Sequence, residues 1–411
     1  MGLKLGINGL GRIGKLTLWN HVARKYFKEI VVNIGREVGT SLNDVAHYIN
    51  RDSTYGSLQR YLYGLKDYKV ICDVDDPAGT IKIDDIKVTV LRKSRNPKEI
   101  NWGAHDVELV VDCTGQFHDP TLPPDDPKGS IRGHFESGAK KVLISAPFKI
   151  KDKKKAMPDD AVTTIMGINE QSYDPSKHRL ISAGSCTTTC LAHMIKPLLD
   201  KIGAKRILAA FMTTIHAVTS TQDVLDRLPK SGATDLRKNR SILNNIILTT
   251  TGAADTLAQV LPEMNQIGFM TESVRVPITT GSLVILVINI QEKKSNSLIN
   301  RDVINNIYKQ VAANDPHGYL IYSEEQNVSE DIIALPGAAT VIEGSETRAR
   351  TAEASIDKNI LCGIENEILK DKINAEIKIP LTQVVIYGWY DNEMGGFVNM
   401  MGELAVSLAK P

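Results

Sequence analysis

The sequence predicts an α/β protein in two parts. A parallel sheet interleaved with helices spans roughly the first 185 residues, and an α+β unit with a mixed sheet follows. Three observations carry this. Short apolar runs alternate with helical patterns from residue 3 to residue 145. After residue 185 the apolar runs lengthen, and the helical patterns become fewer and bunched. The length, 411 residues, suits two or three domains at about 100–200 residues each.

The elements follow in order. Residues 3–8 read as a strand, and 12–27 as an amphipathic helix with Leu16, Leu18, Trp19, Val22 and Ala23 near helical spacing. Residues 29–33, 108–112 and 141–145 read as buried strands. Longer strands are expected at 206–214, 271–277, 281–291 and 382–389. The domain boundary falls near Gly184, giving domains 1–184 and 185–392, with a C-terminal helix at about 393–411 packed back onto the first. Three stretches read as surface insertions. Residues 119–130 are proline-rich, 149–160 carry a Lys/Asp run, and 343–375 are charged with two short helical patterns. Such runs are expected to be solvated loops or surface helices.

Composition excludes several classes. Lys+Arg is 49 and Asp+Glu is 48, a net charge of +1, so neither a nucleic-acid partner nor a solvating acidic tail is called for. A hydrophobic content of 42% excludes a wholly disordered chain. The apolar run at 282–290 is far shorter than the ~18 residues of a membrane span and reads as a buried strand. No secretory layout is visible at the N-terminus. Five cysteines, sparse and odd in number, disfavour a disulfide framework and point to a reducing cytoplasm.

Two motifs carry chemistry. Gly9-Leu10-Gly11-Arg12-Ile13-Gly14 follows a strand and opens a helix, the context that marks a Rossmann dinucleotide-binding turn. Gly9 permits the turn, Gly11 lets a pyrophosphate approach, and Gly14 lets helix and strand pack closely. The second strand ends Asn33-Ile34-Gly35-Arg36-Glu37, without the acid that usually bonds a ribose 2′-hydroxyl. Either Arg36 holds a 2′-phosphate, or it is solvated and Glu37 or a backbone group holds the ribose. The second motif, Ser185-Cys186-Thr187-Thr188-Thr189-Cys190, leads into a helical pattern. Cys186 then sits at a helix start, where the dipole favours thiolate. Cys190 reads as a packing residue. His216 ends a strand among hydroxyls, and a strand-end His beside a helix-start Cys predicts a thiolate–imidazolium pair. No His/Cys spacing fits a zinc site, so no metal is expected.

These strings, together with Asp52-Ser53-Thr54, Ser145-Ala146-Pro147, Thr251-Gly252-Ala253-Ala254, Arg275-Val276-Pro277 and Trp389-Tyr390-Asp391-Asn392-Glu393, resemble phosphorylating glyceraldehyde-3-phosphate dehydrogenase in family order. The resemblance implies oxidation of D-glyceraldehyde 3-phosphate to 1,3-bisphosphoglycerate, through a thiohemiacetal and thioester on Cys186 with His216 as base. It implies NAD as cofactor, with NADP use left open. The implied cofactor set is Gly9, Gly11, Arg12, Ile13, Gly14, Arg36, Arg95, Thr114, Gly115 and Asn392. The implied substrate- and phosphate-binding set is Ser185, Thr187, Thr219, Arg237, Thr251, Gly252 and Arg275. The small-molecule substrate and inorganic phosphate are the expected partners, and a cytoplasmic homotetramer is the expected assembly.

Three positions depart from the family pattern. Ala183 and Thr189 stand where the family carries Asn, and Gly396 stands where it carries an aromatic near the nicotinamide. Leu228-Pro229 keeps a pair typical of NAD-preferring members. Two other readings stay open: a related dehydrogenase acting on erythrose 4-phosphate, and a non-catalytic NAD-binding paralogue.

Overall fold

The computed structural model describes residues 3–292, 299–357 and 376–410. Among the described residues the first sheet has nine strands. In chain order they are β1 (Lys4–Asn8), β2 (Glu29–Asn33), β3 (Ile71–Asp75), β4 (Thr80–Ile83), β5 (Ile86–Leu91), β6 (Leu109–Asp112), β7 (Lys141–Ile144), β8 (Ala161–Thr163) and β9 (Leu180–Ser182). They lie in the order β8-β9-β7-β6-β1-β2-β5-β4-β3. The strands from β8 to β5 are parallel, and β4 and β3 extend that edge antiparallel. The central strands are apolar on both faces, as a doubly covered parallel sheet requires: Leu5, Ile7, Val32 and Val111 are fully buried.

Helix α1 (Arg12–Arg24) starts directly after the glycine turn. Gly9 has φ +93°, and its N–H donates to the Asn33 carbonyl at 2.8 Å. A Cβ on Gly14 would fall 1.9 Å from the Gly9 carbonyl oxygen, so only glycine lets the helix sit so close to the strand. The helix is shorter than expected, and every residue from Gly14 to Val22 is buried. The reason is the C-terminal helix Asn399–Ala409, whose Met401, Leu404, Ala405 and Leu408 share one apolar core with Leu16, Leu18, Trp19 and Val22. That cover removes the solvent face an isolated amphipathic helix would have.

The second sheet is mixed. Its strands are β10 (Ile207–His216), β11 (Ile247–Thr249), β12 (Gly268–Arg275), β13 (Ser282–Gln291), β14 (Leu320–Ser323), β15 (Thr340–Glu343), β16 (Arg348–Asp357) and β17 (Glu376–Tyr390). The order is β11-β12-β10-β13-β17-β15-β14, with β16 on β17. β10 pairs parallel with β12 and antiparallel with β13. Helices α2 (Cys186–Ile202), α3 (Ala253–Val260) and α4 (Arg301–Asn314) contribute to its core with the inward residues Val284, Leu286, Ile288 and Ile290 of β13.

One of the three insertions differs in kind from expectation. Residues 348–357 form no surface helix; they are β16, paired antiparallel with β17 from Arg348↔Val385 to Asp357↔Glu376. Charged residues spaced along an outer strand blunt further pairing, and they mimic a solvated loop in sequence. Of the rest of that call, 343–347 hold the end of β15 and a short 3-10 turn, and 358–375 lie outside the described residues. The 119–130 segment is a loop with buried ends: Asp119 and Ser130 are 4% and 1% exposed. Residues 151–156 are fully on the surface.

Candidate active site

The first helix of the mixed-sheet part aims its N-terminus at the seam between the two sheets. Ser185 caps it: its Oγ accepts the Thr188 N–H at 3.1 Å, and Gly184 takes φ +68° to turn the chain in. Cys186 is therefore the first helical residue. His216 is the last residue of β10 and approaches from the opposite wall. Its Nε2 lies 3.4 Å from the Cys186 Sγ. Arg275 stands opposite His216 in the β10–β12 register, and its guanidinium rests against the imidazole. Arg275 Nη1 donates to the Ala217 carbonyl at 3.0 Å, which also lies 2.8 Å from His216 Nδ1. His216 Nδ1 thus faces both the Ala217 carbonyl and the Arg275 guanidinium, and Nε2 faces the thiol.

The expected pairing forms, but its charge state is corrected. Burial and the adjacent guanidinium hold His216 far below the ordinary histidine range, at about 3. Burial also pushes the Cys186 thiol up, against the pull of Arg275. Both shifts favour a neutral thiol facing a neutral imidazole over the expected thiolate and imidazolium. Desolvation outweighs the helix dipole here because protein covers the pair except where it meets the cleft, with His216 buried and Cys186 partly buried.

A cleft of about 440 Å³ opens over this pair. From the expected set it gathers Arg12, Ile13, Ser185, Cys186, Thr187, His216, Thr219, Thr251, Gly252, Arg275 and Asn392. Gly252 caps α3, so the free amides of that eight-residue helix face the cleft. The Arg275 Nε is buried with no partner, an orphan donor suited to an anion. Asn392 is held by hydroxyls: Ser282 Oγ and Thr280 Oγ1 donate to its Oδ1 at 2.8 and 3.1 Å. That leaves its NH₂ for a ligand in the cleft.

Other expected residues lie elsewhere. Gly11 and Arg36 line a second groove of about 530 Å³ with Leu10, Ile34, Val38 and Tyr48. Gly9, Gly14, Thr114 and Gly115 build the turn between the two spaces. Thr114 is fixed there by the buried Asp112, which accepts both its N–H and its hydroxyl. Nothing lies within 4 Å of a Cβ position at Gly11, so the helix start is open to a pyrophosphate. This donor set fits a dinucleotide. Arg95 packs against Gly35, where a Cβ would come 2.8 Å from its Cγ, which explains why no acid stands at that strand tip. Glu37 does not turn to the groove; it pairs with Arg92 at 3.2 Å.

Two calls are corrected. Arg237 stays outside the cleft, exposed and paired with Asp235 at 2.8 Å, because its loop folds back on itself before reaching the site. The Arg12 guanidinium is not a free pyrophosphate anchor. It is clasped by Glu393, with Nε donating to Oε1 at 3.1 Å, and by Asp52, which also binds Lys15 at 2.7 Å. The sequence reading missed Tyr390, whose hydroxyl ties Thr187 to Thr214 at 3.0 and 2.8 Å behind the catalytic pair. It also missed Lys149, Gln259, Ser273 and Phe397 in the cleft wall.

The comparisons with known proteins agree with this layout. The family model for the glyceraldehyde 3-phosphate dehydrogenase NAD binding domain matches residues 3–120, and that for its C-terminal domain matches residues 185–360. The chain belongs to the glyceraldehyde 3-phosphate dehydrogenase family. It is similar to glyceraldehyde-3-phosphate dehydrogenase 2 of Streptomyces avermitilis, 34% identical over 99% of this chain and 98% of the relative. The Priestia megaterium enzyme is 33% identical, and glyceraldehyde-3-phosphate dehydrogenase 1 of Bacillus subtilis 34%, each over 100% of this chain and 99% of the relative. As a member of this family the protein is an NAD-binding dehydrogenase.

The family departures resolve into one local rearrangement. Residues Met394–Val398 form a π-helical turn, which absorbs one extra residue. Phe397, not Gly396, thereby lines the cleft. Gly396 is confined where a Cβ would meet the Asp391 carbonyl at 2.5 Å. Phe397 thus supplies an aromatic to the cleft wall one position after Gly396. Ala183, Thr189 and Phe397 share a small gap with Met400, Met401 and Leu404. The two missing amides and the shifted aromatic are thus parts of one apolar wall.

Proposed function

We propose that this protein catalyses the phosphorylating oxidation of D-glyceraldehyde 3-phosphate to 1,3-bisphosphoglycerate. The observation that carries the reading is the 3.4 Å approach of Cys186 Sγ to His216 Nε2 in a cleft that also holds Arg275, Thr219 and the N-terminus of α3. The thiol adds to the aldehyde carbon as His216 Nε2 takes its proton, giving a thiohemiacetal. The ring returns a proton to the new oxygen, then removes it as the carbon is oxidised to the thioester. The bound nicotinamide supplies the two-electron acceptor for that oxidation. Inorganic phosphate held by Thr251, Gly252 and Thr187 then attacks the thioester carbonyl, forming the acyl phosphate and releasing the Cys186 sulfur. Arg275 and Thr219 hold the substrate's own phosphate, and Asn392 orients the nicotinamide carboxamide.

Both NAD and NADP are accepted in this reading. Arg36 lines the adenosine-side groove with Arg95 nearby, and the one carboxylate lining it, Asp44, is committed to Thr40 and Ser41. We assign cofactor binding to residues 1–184 and catalysis to 185–392. The reading includes a cytoplasmic homotetramer; what supports assembly is the apolar side chains left open on the mixed-sheet part, with Leu228 92% exposed, Ile246 74% and Met270 67%. No helix among the described residues is long and apolar enough to cross a membrane.

The test is a turnover assay. Purified protein reduces NAD or NADP only when both the aldehyde phosphate and inorganic phosphate are present, and Cys186→Ser abolishes it. Undiminished turnover by that variant would overturn the assignment.

A further inference from the structure

The loop that follows the cleft wall is strongly and asymmetrically charged. Lys149, Lys151, Lys153, Lys154 and Lys155 fall within seven positions, interrupted by a single acid, Asp152. Lys149 lines the mouth of the catalytic cleft, and both it and residues 151–155 are exposed. Two backbone bonds pin the base of the loop beside the cleft: Lys149 N–H to the His118 carbonyl at 2.8 Å, and Lys151 N–H to Asp119 Oδ2 at 3.0 Å. Asp152 caps the tip, accepting the Lys154 N–H at 3.0 Å while its own carbonyl takes the Lys155 N–H at 2.9 Å. The tip is thus a defined turn, not a trailing chain.

Two of the carboxylates beside the loop, Asp119 and Asp160, are committed elsewhere, whereas Asp159 is exposed. Asp119 accepts Thr121 N–H and Oγ1 besides Lys151 N–H. Asp160 is paired with Arg132, and Glu108 with Lys140. Among the described residues none of the five lysines takes part in an ion pair. Two residues of chain reach at most ~7 Å, so the Lys151 backbone is closer to Lys149 than one Debye length, about 10 Å at 0.1 M salt. The cleft itself has cationic Arg275, with an unpartnered Nε, at its floor. Positive charge therefore runs from the exposed loop tip, past Lys149, toward Arg275; the cleft wall also carries two acids, Glu393, which is clasped by Arg12, and Asp255.

We propose that the 149–155 loop is an electrostatic funnel that captures small phosphorylated anions for the cleft. This rests on the reading of the cleft as a site for a phosphorylated aldehyde and inorganic phosphate. A cleft lined by one sign of charge raises encounter rates for the opposite sign without altering the bound complex. The loop thus acts on capture, and its effect disappears once salt screens it.

The test separates capture from chemistry. Lys151, Lys153, Lys154 and Lys155 are replaced together by Gln, leaving Lys149 in place. Cys186 is alkylated at about 20 mM salt with iodoacetate, an anion, and with iodoacetamide, its neutral counterpart, and the modified peptide is quantified. The variant's iodoacetate-to-iodoacetamide rate ratio falls at least about threefold, and the gap closes at about 0.5 M salt. In turnover, kcat/KM for the phosphorylated aldehyde falls by a similar factor, while kcat and the turnover of unphosphorylated glyceraldehyde stay unchanged. An unchanged alkylation ratio at low salt overturns the funnel. A protein that shows the alkylation effect but turns over no aldehyde phosphate overturns the activity, not the funnel. Lys153→Gln with Lys154→Gln serves as the milder variant should the fourfold change lower expression, with the same direction expected.

Discussion

Arg275 lies beside His216 in the parallel pairing of two strands, its guanidinium packed against the imidazole. One cation thus acts on both members of the catalytic pair in opposite senses. It lowers the pKa of the ring by repulsion, and it lowers that of the Cys186 thiol by attraction. The outcome is a ring that stays an acceptor and a sulfur whose anion is stabilised only when its proton leaves. Such a ring is unprotonated at neutral pH, and the same burial and charge make it a weaker base than an ordinary imidazole.

Arg275→Gln removes that coupling. The Cys186 thiol pKa then rises, so the pH midpoint of its alkylation moves up relative to the parent. Loss of a charge-assisted contact to the substrate phosphate costs about 1.5–3 kcal/mol, a fall in kcat/KM of roughly 10- to 150-fold. Glyceraldehyde without its phosphate is affected less. Alkylation profiles that overlay for the two proteins would remove Arg275 from the account.

Phe397→Ala tests the π-helical turn. The ring lines the cleft where the nicotinamide is expected, so its loss weakens cofactor binding by about 1–2 kcal/mol, roughly five- to thirtyfold in Kd, by fluorescence titration. Gly396→Ala has the contrasting effect. Its Cβ would strike the Asp391 carbonyl, so it lowers stability. If Gly396→Ala is silent in both stability and cofactor affinity, the turn is not under the stated constraint.

How far these features were legible in the sequence follows from the physics of each. The glycine turn was legible because Gly9 and Gly14 are required by backbone approach alone. The Cys186–His216 meeting rested on a helix start and a strand end, which local patterns reveal. Its charge state was not legible, because desolvation depends on walls such as Tyr390 and Arg275 that converge only in the fold. Phe397 was hidden because counting four residues on from Asn392 presumes a regular helix, and one π-turn shifts the count. The edge strands Ile71–Asp75 and Arg348–Asp357 were masked by surface charge, which an outer strand and a loop share. The Arg12 clasp joins residues 12, 52 and 393, a separation no local motif encodes.

Ser282→Ala tests how Asn392 is oriented. The Ser282 hydroxyl accepts the Ala217 N–H at 3.1 Å and donates to Asn392 Oδ1 at 2.8 Å, so it links the catalytic histidine's neighbour to the cofactor-facing amide. Without it the amide is free to turn, and the cofactor KM rises by about threefold to tenfold, the equivalent of one net hydrogen bond near 1 kcal/mol. The Cys186 alkylation rate stays the same, since Arg275 also holds Ala217. A KM equal to the parent's would mean that Thr280 alone sets the amide.

The buried histidines set the acid limit of the fold. His21 is fully buried in the first core with neither ring nitrogen partnered, and burial holds it at about 3; His193 is lowered in the same sense, as is His216. Each pKa lies below its value in the unfolded chain, so between about pH 6.5 and 3 the unfolded state binds the extra proton. Stability is therefore whole above pH 6.5 and falls with pH below it, by up to ~1.4 kcal/mol per pH unit for each histidine. The window from about 6.5 to 5 reads the histidines, since carboxylates held below their ordinary range, among them Asp52, Asp112, Asp160 and Glu324, lose their contribution only as pH falls through the unfolded carboxylate range, from about 5 downward. His21→Leu removes one proton's worth of that slope and, by relieving two unpartnered nitrogens, raises stability at neutral pH by about 1–3 kcal/mol. Urea midpoints across pH 4–8 check it, and a slope for His21→Leu as steep as the parent's would show that His21 is protonated in the folded state.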